Sequence, residues 1–227
     1  MVRFKQPKAI RGSQKWIQIL VNEKAELLNS QIRQSFKLPN NEEIIWLSPK
    51  ADEDYVEYGL EEFLEKVGKE KLKQLPLDEF WPKRGAKWDA LGHSSSGESL
   101  FFVEAKSHIP ELISTLRSKS EVSTERIRYS LGKTKEKLGS KADFDWSRTF
   151  YQYTNRLALV YFLRKNKLPA YMVFVYFLND PDVKGPKTVD EWKGAIRLLH
   201  RYLDLREHLL QRWVVDIFMD VNKLKPV

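Results

Sequence analysis

Three charged residues, Asp89, Glu104 and Lys106, stand in two short apolar segments within the sequence WDALGHSSSGESLFFVEAK, residues 88–106. A charge inside a strand that otherwise reads as core is costly to bury alone, so it needs exposure, partners or a metal ion. Two carboxylates close together repel each other unless a divalent cation neutralises them. These residue types therefore predict a hard cation held by oxygen, Mg²⁺ or Mn²⁺, with a lysine beside it.

Strand alternation determines which of these side chains converge. In the predicted strand 100–108, Glu104 and Lys106 point to the same face. Asp89 lies in the preceding predicted strand, 87–93, and a polar turn joins the two strands. One hairpin register places Asp89 beside Glu104 and another turns it away, so both arrangements stay open at this point.

The composition favours an anionic partner. The 227 residues carry a formal net charge of +8, and 42% hydrophobic residues support a sizeable core, so we expect a single domain over residues 1–227. Eight Lys or Arg residues against three Glu between Arg117 and Lys141 contribute a net +5 of that charge. Such a cluster is typical either of a nucleic-acid contact surface or of a solvated helical face.

The chain contains no cysteine, which excludes disulfides and thiolate metal sites. No apolar run reaches about 18 residues, and the start MVRFKQPKAIRGSQKW has no hydrophobic signal core. We therefore expect a cytoplasmic location and no membrane partner.

The hydrophobic pattern predicts an α/β protein. A continuous apolar run at 170–178 that follows a helix is typical of a strand buried on both faces. The Thr188-Val189-Asp190-Glu191 sequence is a capping box that opens a helix. The predicted elements are helices at 13–36, 58–75, 144–166 and 188–211, a polar helical stretch at 111–141, and strands at 43–47, 80–82 (an edge strand), 87–93, 100–108, 170–178 and 214–221.

Asp89, followed fifteen positions later by Glu104-Ala105-Lys106 at the end of an apolar strand, resembles the PD-(D/E)XK nuclease superfamily. The resemblance implies metal-dependent phosphodiester hydrolysis and a restriction-endonuclease-like αβββαβ core, a mixed sheet flanked by helices, over approximately residues 58–180. Trp88 stands where the family has its name-giving proline. The implied additions to the core are the N-terminal helix 13–36, the basic helical insertion 111–141, and the C-terminal helix and strand 188–221.

The resemblance also implies roles for individual residues. Asp89 and Glu104 would bind Mg²⁺ or Mn²⁺, and Lys106 would orient the attacking water and stabilise the developing anion. Some branches of the superfamily add a Q-x-x-x-Y helix, and here Gln152 is followed by Arg156 in place of the tyrosine. These two residues either meet the site or form a plain surface pair.

Further assignments stay open on the sequence alone. His108 shares the face of Lys106 only if its strand continues past Ser107. The additional acid that the family carries on its first core helix is either Glu57 or Glu23.

The predicted function is that of a Mg²⁺-dependent nuclease acting on nucleic acid, with DNA preferred to RNA as the partner and a homodimer left open. The alternative is a catalytically inactive protein of the same fold, acting as a nucleic-acid-binding or protein-interaction module. For the three charges themselves, the alternative interpretation is that Glu104 and Lys106 form an exposed pair at an edge of the sheet, with Asp89 in a turn.

Overall fold

Five strands form one mixed sheet, in a computed structural model that describes residues 7–39, 41–68, 75–82 and 85–225. The strands lie in chain order: β1 (Ile44–Ser48), β2 (Ala90–Ser94), β3 (Leu100–Lys106), β4 (Ala170–Leu178) and β5 (Val214–Asp220). The first three pair in antiparallel fashion, whereas β4 is parallel to β3 and β5 is parallel to β4. This arrangement confirms the predicted α/β class.

Seven α-helices flank the sheet in the described ranges. They are α1 (Gly12–Glu23), α2 (Ala25–Phe36), α3 (Leu60–Lys66), α4 (Leu77–Phe80), α5 (Glu121–Lys137), α6 (Tyr151–Lys165) and α7 (Val189–Tyr202). Short 3₁₀ turns lie at Ala51–Glu53, Ile109–Leu112, Gln211–Trp213 and Val221–Lys223. None of the described helices combines the length and the apolar character that a membrane span requires.

Strand β4 separates two apolar layers, because its side chains alternate between the faces of the sheet. Met172, Phe174 and Tyr176 pack into the cluster under α3, α5, α6 and α7. Val173, Val175 and Phe177 point to the opposite face, which α1 and α2 cover. The prediction of a strand buried on both faces is therefore confirmed for this segment.

The predicted helix 13–36 is two helices, since Lys24 leaves the helical conformation between α1 and α2. The Asn22 side-chain amide donates both to the carbonyl of Gln18 and to that of Pro49, 2.7 Å away. This contact ties the end of α1 to the loop after β1. The turn allows both helices to pack their apolar residues on the same face of the sheet.

The predicted helix 144–166 begins only at Tyr151, because local hydrogen bonds hold the preceding residues in another conformation. The Asp145 carboxylate accepts from the backbone N–H of Ser147, and Thr149 has a φ of 54°. Side chains of this kind compete with the helix for backbone groups. Phe150 instead forms a bridge with Ser114. The apolar spacing at 146–150 therefore marks burial and not helix.

Other boundaries were also wrong. The predicted edge strand 80–82 is replaced by α4 and an extended Trp81. Of the predicted helix 58–75, α3 forms the first part, and residues 69–74 lie outside the described residues. The stretch 111–141 contains a helix only at α5, and the helix expected to reach 211 ends at Tyr202. The sheet extends from residue 44 to residue 220, beyond the expected core of approximately 58–180 at both ends.

Gly92 on β2 provides a test of the strand packing. A Cβ atom there would lie 2.9 Å from the carbonyl oxygen of Ile45 and 2.9 Å from the ring of Trp46. Gly92→Ala should therefore lower the free energy of unfolding by about 1–3 kcal/mol through overpacking. The matched control is Gly132→Ala in α5, where a Cβ meets nothing within 4 Å, and alanine should stabilise the helix by about 0.5–1 kcal/mol. Urea unfolding measures both changes, and equal effects of the two variants would contradict this packing.

Candidate functional site

Asp89 and Glu104 lie opposite each other on neighbouring strands. The antiparallel pairing of β2 with β3 sets Ala90 against Val103. One step further along both strands brings Asp89 level with Glu104. Residues directly opposite across an antiparallel pair point to the same face of the sheet. Of the two registers left open by the sequence, the structure adopts the one that brings these carboxyl groups together.

Asp89 stands immediately before β2, not within a longer strand from residue 87 as predicted. Its carboxylate oxygen Oδ2 accepts the backbone N–H of Ala105 at 2.7 Å. The Asp89 side chain thus accepts an N–H of β3, as a backbone carbonyl of the neighbouring strand does in a regular sheet. This hydrogen bond fixes the carboxyl group at the carboxyl end of β3, the end of a strand at which α/β sheets place their ligands.

Glu104 is buried, with 2% of its surface exposed, and is held between two cations. Its Oε1 pairs with the ammonium of Lys106, and its Oε2 accepts from Nε of Arg156 at 2.7 Å and lies 2.6 Å from Nη2. Burial alone would raise the pKa of Glu104, but Arg156 and then Lys106 overcome it and hold the pKa at about 2. Glu104 is therefore a permanent anion.

Lys106 is the second buried member of this network. Burial would lower the pKa of Lys106, but Glu104 and Asp89 raise it above the ordinary value. Its Nζ also donates to Oε1 of Gln152 at 3.2 Å. The ammonium is thus charged and aimed by partners on its own strand and on α6.

Asp89 differs from Glu104 in its environment, although the two face each other. It is partly exposed and has no cation of its own in direct contact among the described residues. Desolvation, followed by the charge of Glu104, raises the pKa of Asp89 to about 8, with Lys106 opposing the shift. The environments of the two facing carboxyl groups therefore shift their pKa values in opposite directions.

Helix α6 supplies Gln152 and Arg156 from one face, four residues apart. Arg156 is buried; its guanidinium lies 4.3 Å from the ring centroid of Trp88, and its Nη2 donates to the carbonyl of Lys87 at 2.8 Å. A guanidinium over an indole face gains cation–π attraction. The structure thus brings both residues to the site, and the alternative of a surface pair is excluded for them.

A cleft of about 840 Å³ opens in front of Asp89. Its charged lining consists of Glu57, Lys87, Asp89, Arg117, Lys119 and Arg156. Ser120, which caps the first turn of α5 by accepting from the N–H of Ser123, also lines it. Cations and a helix N-terminus around a carboxylate suit a phosphate-bearing ligand.

The structure brings Glu57 to the cleft but not Glu23, although Glu57 lies in the loop before α3 and not on a helix. Glu57 lines the cleft, and its charge contributes to the raised pKa of Asp89. Glu23 ends α1, which packs on the opposite face of the sheet. The sequence separation between Glu57 and Asp89 does not predict this position, because the loop that carries Glu57 reaches the cleft through tertiary packing.

His108 takes no part in lining the cleft. The strand ends at Lys106, and the Nδ1 atom of His108 contacts the Glu111 carboxylate. Glu111 also accepts the N–H of Ser107 and the hydroxyl of Ser13. His108 therefore belongs to a contact with α1 beside the site.

The donor atoms at Asp89 and Glu104 are carboxylate oxygens, the ligands that Mg²⁺ and Mn²⁺ prefer. In the part of the chain that the structure describes, no group of three or more His, Asp or Glu side chains is placed to hold a metal ion. A cation at this pair would therefore complete its shell with water or backbone oxygens, as Mg²⁺ commonly does. Asp89 and Glu104 thus carry the type of ligand atom that such an ion prefers. To bind it, Glu104 would share one carboxylate oxygen between the ion and a cationic side chain.

Fold and site together define an α/β protein whose mixed five-stranded sheet carries a buried acid–base cluster beside a basic cleft. No protein-family model, curated protein or solved structure matches the chain. The geometry of the cluster and the cleft is accordingly the basis for any functional interpretation.

Replacing Arg156 should expose the cost of burying Glu104. Arg156→Met leaves a buried carboxylate with one cation fewer, so the free energy of unfolding should fall by about 3–5 kcal/mol. Urea unfolding of the exposed-site control Arg206→Met should show little change. The double variant Glu104→Gln/Arg156→Met should lose less than the sum of the two single variants. Strict additivity would contradict direct pairing.

The raised pKa of Asp89 predicts a pH dependence of stability. Between the ordinary pKa of an aspartate and about 8, the folded state binds more protons at this site than the unfolded state, so stability falls as the pH rises through that window. Asp89→Asn should remove this contribution. Between pH 5 and 8, the free energy of unfolding should fall less for the variant than for wild type, by a difference of at least about 1 kcal/mol. Urea unfolding in EDTA measures the difference, with exposed Asp143→Asn as the control. Parallel curves for wild type and Asp89→Asn would rule the shift out.

Proposed function

We propose that this protein hydrolyses phosphodiester bonds of nucleic acid in a metal-dependent reaction of the PD-(D/E)XK type. The observation that carries the proposal is the placement of Asp89, which lines a cleft with basic walls, opposite the buried Glu104 and its partner Lys106. A carboxylate pair and a lysine in this setting combine ligands for a hard cation with a group that stabilises an anion.

The order of elements supports the same proposal. An N-terminal helical layer precedes three antiparallel strands, and α6 then leads into β4, which lies parallel to β3. This order agrees with the αβββαβ core of restriction-endonuclease-like proteins. In it, α1 and α2 take the first helical position and β5 extends the sheet beyond the core.

The proposed roles follow from the contacts of each residue. Asp89 and Glu104 would hold Mg²⁺ or Mn²⁺, which when bound lowers the pKa of a water ligand and neutralises charge on the phosphate. Lys106, charged and fixed by Glu104 and Gln152, would orient the attacking water and stabilise the developing anion. Arg156 acts as a positioning residue, because it holds the Glu104 carboxylate from the side of α6.

The cleft walls would bind the substrate backbone. Lys87, Arg117 and Lys119 place three cations around the opening, and the basic residues reward phosphate through counterion release. Of the eight basic residues between 117 and 141, only the first two line this cleft. The preference for DNA over RNA stays part of the proposal.

Cleavage assays test the proposal directly. Purified protein should cut single-stranded or double-stranded DNA or RNA with Mg²⁺ or Mn²⁺, and not in EDTA. Asp89→Asn, Glu104→Gln and Lys106→Met should each lower the rate by about 10²–10⁴-fold, the size of effect that removing a charge-stabilising or proton-transferring group has. Glu136→Gln on the exposed side of α5 is the control and should keep the wild-type rate, and circular dichroism should show folded variants. Absence of cleavage with either metal, or wild-type rates in all three variants, would overturn the proposal.

A second candidate function is nucleic-acid binding without catalysis. One observation favours it: both oxygens of Glu104 are engaged by Lys106 and Arg156, as in a structural ion pair. In that case binding should persist in EDTA and in Asp89→Asn, with a steep dependence on salt and no cleavage.

A further inference from the structure

A second basic pocket, of about 460 Å³, adjoins the cleft. It is lined by Thr115, Leu116, Ser118, Thr124, Arg128, Ser147, Arg148 and Thr149. Leu116 and Ser118 also line the cleft, so the segment 116–118 forms a ridge between the two depressions. A ligand that leaves the cleft across this ridge enters the second pocket directly.

The ridge is held in place by backbone hydrogen bonds. The N–H of Leu116 donates to the carbonyl of Ser147 at 2.9 Å, and the N–H of Ser114 donates to that of Thr149 at 2.6 Å. The residues before α6 thus pair with the segment that leads to the ridge. Two of the segments that line the second pocket, 115–118 and 147–149, are therefore paired with each other, and α5 contributes the remaining side.

The chemistry of the second pocket suits a phosphate group. Arg128 and Arg148 are both more than half exposed, and they approach the same Asp145 carboxylate only at 3.7 and 4.0 Å. Arg128 also reaches the Ser147 hydroxyl at 3.5 Å. Two guanidinium forks with hydroxyl groups around them match phosphate oxygens, and the long contacts to Asp145 leave most of their donors open.

The cleft offers an aromatic surface as well as charge. Tyr151, which is half-buried, lines it together with the cations, whereas the neighbouring Trp81 is buried in the core. Proteins that bind single strands combine a basic track for the backbone with aromatic rings for the bases. In a duplex the faces of the bases are already stacked on each other, so the Tyr151 ring favours an unpaired strand.

We propose that the second pocket binds a further phosphate of the same nucleic-acid strand, so that the substrate is a single-stranded segment running from the cleft over residues 116–118 to Arg128 and Arg148. This inference rests on the proposed function, because it assumes that the cleft accepts a phosphodiester chain. It specifies that the substrate is single-stranded and long enough to reach both pockets.

Oligonucleotide binding in EDTA tests the inference on the full chain. Wild type, Arg128→Ala/Arg148→Ala and the matched control Lys133→Ala/Lys137→Ala are titrated with a dinucleotide, with a single strand of about 12 nucleotides, within the usual site size, and with the corresponding duplex. The control removes the same charge from the same region but lies outside both pockets.

The arginine double variant should bind the long single strand about tenfold more weakly than the control, and its salt slope should be lower by about 0.7 for each lost phosphate contact. Its affinity for the dinucleotide should match that of the control. Asp145→Asn, which keeps an acceptor for the Ser147 N–H, should bind the long strand more tightly because both arginines lose a competing anion.

The outcomes separate this inference from the proposed function. Equal weakening of the arginine variant and the control, or equal loss for short and long strands, would overturn the second phosphate site while the cleft function stands. Tighter binding of the duplex than of the single strand would overturn the assignment of strandedness. A wild-type protein that binds none of the three probes would overturn both proposals.

Discussion

The burial of the Glu104 carboxylate is the constraint on which the rest of the site depends. Glu104 lies on the sheet face that also carries Phe102, Phe174 and Tyr176, where an unpaired anion would be very costly. Lys106 supplies one cation from the same strand, but its single charge leaves Oε2 without a partner. Arg156 supplies the second from α6, and this pairing sets how α6 docks at the end of β3.

The same constraint explains why two facing carboxyl groups behave so differently. Lys106 and Arg156 both contact Glu104, whereas Asp89 accepts the backbone N–H of Ala105 and feels the charge of Lys106 at longer range, against the repulsion of Glu104. The pKa values of the two groups are therefore shifted in opposite directions. In the proposed function, a divalent cation at this pair would compete with a proton on Asp89, so metal binding would weaken at low pH.

The sequence predicted those features that depend on local patterns. The apolar run of β4, the hairpin strands and the N-cap at Thr188, whose hydroxyl accepts the N–H of Glu191, all arise from residues close in the chain, and the structure contains each of them. The break at Lys24 and the late start of α6 coincide with contacts to distant residues, Pro49 and Ser114, and before α6 the local bond between Asp145 and Ser147 acts in the same direction. The spacing of apolar residues does not report such contacts. The helical pattern therefore continued across both helix boundaries.

The buried position of Arg156 could not be predicted from the hydrophobic pattern of α6. It lies off the apolar stripe of α6, and an amphipathic helix would turn such a residue to solvent. Helix α6 is instead buried around most of its circumference, between the sheet and α5, so that Thr154, Asn155 and Arg156 all lie inside. A polar residue there must have an internal partner, and Glu104 is the partner whose charge requires it. Glu104 and Arg156 therefore form one buried unit, although they lie fifty-two residues apart in the chain. The burial of either residue at this place depends on the charge of the other.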